Sequence, residues 1–88
     1  MDKGMYMDAS EARTRLEDFV VRSLGKPSLT GSDNIFEVGE ATSLYSMELV
    51  LFIEEKLGIP LEDEDLERDN FATIDAMGKM IERKLRVS

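Results

Sequence analysis

Residues 42–58, TSLYSMELVLFIEEKLG, carry the pattern of one complete helix with a buried side. Thr42 or Ser43 can cap its start, and Gly58 follows Leu57 at the position where a left-handed residue commonly ends a helix. Four apolar residues share one side of the helical wheel, at spacings of three and four. They are Leu49, Val50, Ile53 and Leu57. The stretch therefore predicts a helix that ends at Leu57 and packs this core stripe against the rest of the chain.

A second apolar stripe lies on roughly the opposite side of the same helix, with three acids beside it. The stripe is Leu44, Met47 and Leu51, and the acids are Glu48, Glu54 and Glu55. Because one helix in a bundle of short helices rarely buries both sides, we predict that this docking stripe faces solvent and binds partner proteins. The alternative is a central helix that is buried nearly all round.

The spacing of apolar residues predicts two further main helices. The first has Ser10 as its candidate N-cap and runs to Leu24, where Gly25 supplies a stop signal. The last is capped by Thr73 and runs over 74–85. Their predicted buried stripes are Ala12, Leu16, Phe19, Val20 and Leu24 in the first, and Ile74, Met77, Ile81 and Leu85 in the last.

The remaining segments complete the prediction of a single all-α domain over residues 1–88. Residues 25–42 are rich in turn formers, and their apolar residues Leu29, Ile35, Phe36 and Val38 are expected to pack on the bundle. The acidic stretch 61–69 has room for one short helical turn. We therefore expect a small four-helix bundle of three main helices and one short helix, with a long loop between helices one and two. Residues 1–9 and 86–88 are expected to be flexible.

The composition argues against catalysis and against a metal site built from soft ligands. The 88 residues include no cysteine and no histidine, which removes the usual nucleophiles, the commonest general base and the commonest zinc ligands. In a chain this small, a cleft that shifts the pKa of Asp, Glu or Lys is hard to build. We therefore expect a protein that is not an enzyme and that holds no metal.

The net charge of −8 disfavours nucleic acid and anionic membranes as partners, since both require a cationic surface. The segment from Gly31 to Asn70 contains twelve acids and only two bases, Lys56 and Arg68, which gives it a charge of −10. Such a segment is either a solvated face or a surface that attracts basic partners. No apolar stretch resembling a signal peptide lies in residues 1–10, so we expect a cytoplasmic protein, which we take to be a monomer.

Four stretches in register resemble the acyl carrier protein family. FEVGEATSL at residues 36–44 is similar to the modification site of these carriers, in which a glycine precedes an Asp-Ser-Leu triplet. The others are MELV at 47–50, EEKLGI at 54–59 and NFATI at 70–74. The resemblance extends over nearly the whole chain, from the first helix to Leu85.

The resemblance implies that Ser43 carries a 4′-phosphopantetheine arm, transferred from coenzyme A by a phosphopantetheinyl transferase. An acyl or aminoacyl group would be held on the arm as a thioester. A loading acyltransferase or adenylating ligase would attach it, and downstream synthase or acyl-modifying enzymes would receive it. A phosphodiester is favoured at a helix N-terminus, where free N–H groups and the positive end of the helix dipole lie. Taken alone, Ser43 could equally be an ordinary N-cap.

The residues before Ser43 depart from the family pattern in two ways. Thr42 replaces the usual aspartate, which removes one acidic contact for the transferase, and the spacing from Gly39 to Ser43 is one residue longer than in fatty-acid carriers. The longer spacing resembles stand-alone carriers of unusual units, such as methoxymalonyl-type extender carriers and the D-alanyl carrier of teichoic acid modification. The NFATI run also resembles the extender-unit group. The resemblance therefore implies a discrete carrier from a specialised polyketide or peptide pathway.

Two rival interpretations use the same residues differently. In the first, the chain is an acidic helical interaction module without a prosthetic group, and Leu44, Met47 and Leu51 bind its partner. In the second, the acids of 61–69 bind a metal ion, through Glu62, Asp63, Glu64, Asp65 and Asp69. Calcium loops alternate their ligands around a central glycine, and this stretch has consecutive acids without one, so the second interpretation is the weaker.

Overall fold

The computed structural model describes residues 8–39 and 41–87, and regular structure within them is entirely helical. The helices are α1 (Ala9–Leu24), α2 (Ser43–Leu51), α3 (Arg68–Phe71) and α4 (Ile74–Val87), with a π-helical turn (Phe52–Lys56) that continues α2 and a 3₁₀ turn (Asp63–Leu66) before α3. The predicted all-α fold of three main helices and one short helix is confirmed for this part of the chain. Between α1 and α2 its residues form turns.

The start of α1 differs from the prediction. Asp8, not Ser10, is the N-cap, because its carboxylate accepts a hydrogen bond of 2.8 Å from the Glu11 N–H. The observed cap lies two residues before the predicted one, at a side chain equally suited to capping. The two ends were expected to be flexible, over residues 1–9 and 86–88. Most of these positions, residues 1–7 and 88, lie outside the described residues. Within them, Ala9 belongs to α1 and residues 86–87 belong to α4.

Both ends of the second helix lie where the sequence predicted them. Thr42 is its N-cap, with the Oγ1 atom accepting from the Tyr45 N–H at 3.3 Å. At the other end Gly58 has a φ of 70°, the left-handed conformation that a residue with a Cβ rarely adopts. Ile59 N then donates to Ile53 O at 3.1 Å, which satisfies one of the last carbonyls of the helix.

A π turn widens this helix where α2 ends. It is closed by a hydrogen bond of 3.1 Å from Leu57 N to Phe52 O. Leu49, Ile53 and Leu57 are four residues apart, so in a regular α-helix each would be rotated by about 40° from the one before. A turn that contains more residues reduces this drift. All three side chains are therefore buried on one side, as predicted.

The core lies between α1, α2 and α4 and is closed by the loop and by α3. Most residues of the predicted stripes are buried, while Phe19, Leu24, Phe36, Val50 and Leu85 are partly buried against them. The buried core is Ala12, Leu16, Val20, Leu29, Ile35, Tyr45, Leu49, Ile53, Leu57, Ile59, Phe71, Ile74, Met77, Met80 and Ile81. None of the described helices is long and apolar enough to cross a membrane.

Val38 does not pack on the core, and its predicted burial is wrong. Its side chain is 54% exposed, whereas Ile35 in the same loop is fully buried. A turn separates the two residues, with Val38 N donating to Asn34 O at 2.8 Å. The loop therefore turns back after Ile35, and Val38 lies on its outer side.

A partly buried ion pair joins the 3₁₀ turn to α4. The Asp65 carboxylate, only 11% exposed, accepts from Lys84 Nζ at 2.7 Å and from the Glu62 N–H at 2.8 Å. The hydrogen bond from Lys84, followed by that from Glu62, holds the pKa of Asp65 below its ordinary value of 3.8. The same bond to Asp65 raises the pKa of Lys84 above 10.5. The acidic turn is thus attached to the last helix by a charged contact.

This ion pair predicts a pH dependence of stability. Folding lowers the pKa of Asp65, so the carboxylate stabilises the fold. This contribution to the free energy of unfolding is complete above pH 3.8 and is lost as the pH falls through the pKa of the folded state. Folding raises the pKa of Lys84, so its contribution to the free energy of unfolding is complete below pH 10.5 and is lost as the pH rises through the pKa of the folded state. We expect Asp65→Asn to lower the free energy of unfolding at pH 7, and the deficit to shrink below about pH 4.

Urea melts between pH 3 and pH 8 test this expectation. Asp63→Asn is the matched control, since it removes the same charge from an exposed position in the same turn. We expect the control to differ little from the unmodified protein at pH 7. A deficit for Asp65→Asn that stayed constant from pH 7 to pH 3 would contradict the linkage.

Candidate functional site

Ser43 is the first residue of α2, and its side chain is exposed. The capping role that it could have filled belongs to Thr42. No hydrogen bond to the Ser43 hydroxyl is found among the described residues. Within the part of the chain that the structure describes, the hydroxyl thus has no partner, and it belongs to the N-terminal turn of a helix whose first turn carries no acid.

The loop before Ser43 is held close to the core by backbone contacts. Ile35 N donates to Ala72 O at 2.8 Å, and Ala41 N donates back to Ile35 O at 2.9 Å. Gly39 lies close to Ile35 and Leu24, in a space that leaves no room for a side chain. A Cβ at this position would lie 2.8 Å from Ile35 O and 3.0 Å from Leu24 Cδ1. A side chain at position 39 would therefore collide with the Ile35 backbone, which accounts for the glycine of the FEVGEATSL stretch.

A groove of about 340 Å³ opens beside Ser43, between α2 and α3. Its walls are mainly apolar, and one cation lies among them. The lining residues are Ser43, Ser46, Met47, Val50, Leu66, Arg68 and Phe71. The Arg68 guanidinium lies 4.0 Å from the centre of the Phe36 ring, over its face. Of the residues predicted to form the site, the structure brings Ser43 and Met47 together here.

The docking stripe is exposed, as predicted. Leu44, Met47 and Leu51 are 78%, 63% and 50% exposed, respectively. By contrast, Leu49 and Ile53 on the core stripe are fully buried. The alternative in which the helix is buried nearly all round is therefore wrong. The stripe begins at Leu44, directly after Ser43, and Leu51 lies about two turns further along the same helix.

The three acids beside the docking stripe are not equivalent. Glu48 and Glu55 line a shallow groove of about 240 Å³ together with Leu51. Glu54 instead accepts a hydrogen bond of 3.1 Å from the Leu61 N–H, so its carboxylate contributes to the local structure after the helix. Only Glu48 and Glu55 are thus combined with an apolar side chain of the stripe.

Two aromatic side chains, Phe19 of α1 and Phe52 of the π turn, extend this shallow groove, a feature that the helical wheel missed. The Phe19 and Phe52 rings are stacked with their centres 4.2 Å apart, and both line the groove. Tyr45 lies behind them, hydrogen-bonded to Ser23, and burial raises the pKa of its hydroxyl. The spacing of Phe19 within the stripe of α1 indicated burial, and no feature of the sequence indicated that it would meet Phe52.

A larger cavity, of about 660 Å³, lies away from Ser43, between α1 and the π turn. Its cations on α1 already have partners, since Arg15 pairs with Glu11 at 2.9 Å and Arg22 pairs with Asp18 at 3.1 Å. None of the predicted site residues lines this cavity, so its larger volume is no reason to place the functional site there.

The acids of 61–69 form no cluster that could hold a metal ion among the described residues. Asp65, the most buried of them, is bound to Lys84. The backbone in this stretch turns through a 3₁₀ helix and then α3.

Comparison with known proteins accounts for the Ser43 region and the helices around it as one unit. Residues 14–81, most of the chain, match the family described as the phosphopantetheine attachment site. No curated protein matches the chain. The matched range includes α2, the loop before it and most of α4. The chain therefore belongs to the phosphopantetheine attachment family, carrier proteins that bear a covalently attached 4′-phosphopantetheine arm.

Proposed function

We propose that this chain is an acyl or aminoacyl carrier whose 4′-phosphopantetheine arm is attached to the Ser43 hydroxyl. The observation that carries the proposal is the division of roles at the start of α2. Thr42 caps the helix, which leaves the exposed Ser43 hydroxyl available to a transferase. Family membership supports the arm itself.

The residues around Ser43 suit the group that would be attached there. A phosphodiester on Ser43 Oγ would lie at the N-terminus of α2, where the helix dipole favours an anion and no acid of the first turn repels it. When bound, the arm supplies a thiol on a flexible tether, and the thiol holds an acyl group as a thioester. The chain holds the arm at one exposed point, so that partner enzymes can reach the thioester.

One measurement separates this proposal from the rival interaction module, which would use the same exposed stripe. The purified chain is incubated with coenzyme A and a broad-specificity phosphopantetheinyl transferase, and its intact mass is recorded. We expect a gain of the mass of one arm. An unchanged mass, with a known carrier modified in the same reaction, would favour the module without a prosthetic group or a carrier inactivated by Thr42.

The surface formed by Leu44, Met47 and Leu51, with Glu48 and Glu55, is proposed to bind the transferase, the loading enzyme and the downstream synthase. The apolar side chains supply buried area on association, and the acids attract a basic partner surface. Glu54 is retained as a weaker member because its carboxylate already binds Leu61 N.

This docking surface predicts that modification is sensitive to salt and to charge reversal. Because exposed charges are screened by salt, the rate of modification by the transferase should fall as the ionic strength rises. Glu48→Lys and Glu55→Lys should each slow it by about fivefold at low salt. Glu17→Lys, an exposed reversal on α1, is the matched control and should leave the rate nearly unchanged. Equal rates for all three variants at every salt concentration would remove the electrostatic part of the proposal.

The pathway proposed for this carrier is a specialised one, in polyketide or peptide biosynthesis. The support is the resemblance of the longer Gly39–Ser43 spacing and the NFATI run to stand-alone carriers of unusual units. Mass analysis of the acyl group on the protein isolated from its native host tests this directly. A saturated fatty acyl chain on the arm would contradict it.

A further inference from the structure

Bases outnumber acids around the cavity between α1 and the π turn, although the whole chain carries a net charge of −8. Three bases line this cavity, hereafter the basic groove, and they are Arg15, Arg22 and Lys56. Asp18 is the one acid among its lining residues. Counting Glu11 as well, because it pairs with Arg15 from outside the groove, still leaves the charge positive. The sign of the charge here is therefore opposite to that of the molecule.

The three bases of the basic groove retain donors for a bound anion. Arg22 is 80% exposed and pairs with Asp18 through Nε alone, and Arg15 is 53% exposed and pairs with Glu11 through one Nη atom. A guanidinium has five N–H donors, and exposed ion pairs are weak, so a carboxylate of a ligand can compete for both side chains. Lys56 is exposed, and no ion pair to it is found in the described part of the chain.

The less exposed residues that line the basic groove are apolar. Phe19 and Phe52 are partly buried and stack with their ring centres 4.2 Å apart, and Leu57 is buried. The volume of about 660 Å³ lies within the range of about 300–1,000 Å³ that is common for ligand pockets. An apolar side chain of a ligand would therefore find both space and an aromatic surface in the groove.

We propose that the basic groove binds a short acidic segment of a partner enzyme. A leucine or aromatic side chain of the segment lies against Phe19 and Phe52, and its carboxylates meet Arg15, Arg22 and Lys56. The proposal goes beyond the function proposed for Ser43, because binding in this groove requires no prosthetic group.

The charge of the whole chain favours a short segment over larger acidic partners. A nucleic acid or an anionic membrane presents negative charge over a wide area, which a molecule of charge −8 repels. At physiological salt, charges more than about 8 Å apart are largely screened from each other. A short segment lying in the groove would therefore interact mainly with the three bases.

The basic groove lies towards the end of the second helix that is far from Ser43. Ser43 and Phe52 are nine positions apart, which at about 1.5 Å per residue is roughly 14 Å along the helix. Phe19, Phe52 and Lys56 also line the shallow groove next to the docking stripe, so the two surfaces are continuous. A partner can thus hold the carrier through the basic groove while Ser43 stays accessible, which raises the effective concentration of that enzyme at the arm.

Four fluorescein-labelled peptides of equal length test this proposal at physiological salt. The Glu peptide has Leu and Phe on one side of a helix and Glu on the other. The Lys peptide and the Gln peptide replace every Glu, and the Ala peptide keeps Glu but replaces Leu and Phe. Fluorescence anisotropy measures the affinity, and the ¹H–¹⁵N backbone signals of the chain show where each peptide binds.

We expect the Glu peptide to bind about tenfold more tightly than the Gln and Ala peptides and to shift the signals of Phe19 and Lys56. The Lys peptide should instead shift signals on the docking stripe. Each measurement is made on the chain with and without the arm, and the affinity of the Glu peptide should be the same in both. Failure of arm attachment at Ser43 would therefore leave this test intact.

Neutral variants identify the bases that bind the peptide. Arg22→Gln and Lys56→Gln should each weaken binding of the Glu peptide about threefold, and the double variant about tenfold, as expected for independent exposed ion pairs. Arg83→Gln removes the same charge from an exposed position on α4, so it is the matched control and should not change the affinity. Urea melts show that each variant is folded before its affinity is compared.

Three results would each overturn the proposal. The first is a Glu peptide that shifts no signal around the basic groove. The second is equal binding of the Ala peptide, which would mean attraction by charge without use of the groove. The third is unchanged affinity in the folded double variant. Binding of phenylacetate in the groove, without binding of the Glu peptide, would assign it to a small aromatic anion instead.

Discussion

Ser43→Ala is expected to abolish the mass gain on treatment with transferase and coenzyme A, while the helical fold is retained. The substitution removes the hydroxyl oxygen to which the phosphodiester would be joined. It should not unfold α2, because the N-cap hydrogen bond is made by Thr42 Oγ1 and not by Ser43. Intact mass reports the modification, and far-ultraviolet circular dichroism reports the helix content.

Ser46→Ala is the matched control for this result. Ser46 lies one turn further along α2 and lines the same groove, so it offers the transferase an alternative serine hydroxyl close to Ser43. We expect this variant to gain one arm. If Ser43→Ala still gained the mass of an arm, or if Ser46→Ala lost it, the assignment of the attachment site would be wrong.

Thr42 has a structural meaning that the comparison of motifs alone does not give. An aspartate and a threonine both present an oxygen that can accept from the N–H three residues on, and here Thr42 does so at 3.3 Å. The replacement therefore keeps the cap and removes only the negative charge. Its effect should be confined to the contact with the transferase. We therefore expect slower modification and a correctly folded site.

The second helix was predictable in detail because its signals are local. A hydroxyl residue at the start and Gly58 at the end set its limits, and the periodicity of apolar residues separated the two stripes. Ser43 as a site residue was not predictable in this way. A lone serine at a helix start is most often a cap, and its proposed role depends on the family resemblance and on the cap being supplied by Thr42.

The features that could not be predicted depend on contacts between distant parts of the chain. The partly buried bond between Asp65 and Lys84 joins residues that periodicity treats as exposed. The contact of Arg68 with the face of Phe36 likewise joins α3 to the loop, and Arg68 also lines the groove beside Ser43. The exposure of Val38 follows from the path of the loop, since apolar character alone predicted burial. In each case the outcome is set by tertiary packing, which overrides local preference.

Ile53→Ala and Met47→Ala test whether the two sides of the second helix differ in energy as they differ in exposure. Ile53 is fully buried, so truncation to Ala leaves a cavity and should lower the free energy of unfolding by about 2–5 kcal/mol. For a small domain with a total stability of about 5–15 kcal/mol or less, this loss could unfold much of the population. Met47 is 63% exposed, so Met47→Ala should change the free energy of unfolding by no more than about 0.5 kcal/mol.

When partner binding is measured, Met47→Ala should be the more impaired of the two variants. Loss of the Met47 side chain removes apolar area from the docking stripe, so its cost should appear as slower modification by the transferase or slower acyl transfer. Urea melts and modification rates are therefore measured in parallel on both proteins, with rates taken where each is folded. If Met47→Ala destabilised the fold as much as Ile53→Ala, the stripe would be part of the core. If it were stable and reacted at the normal rate, the stripe would be exposed without binding the transferase, and partner recognition would have to depend on the acids or on another face.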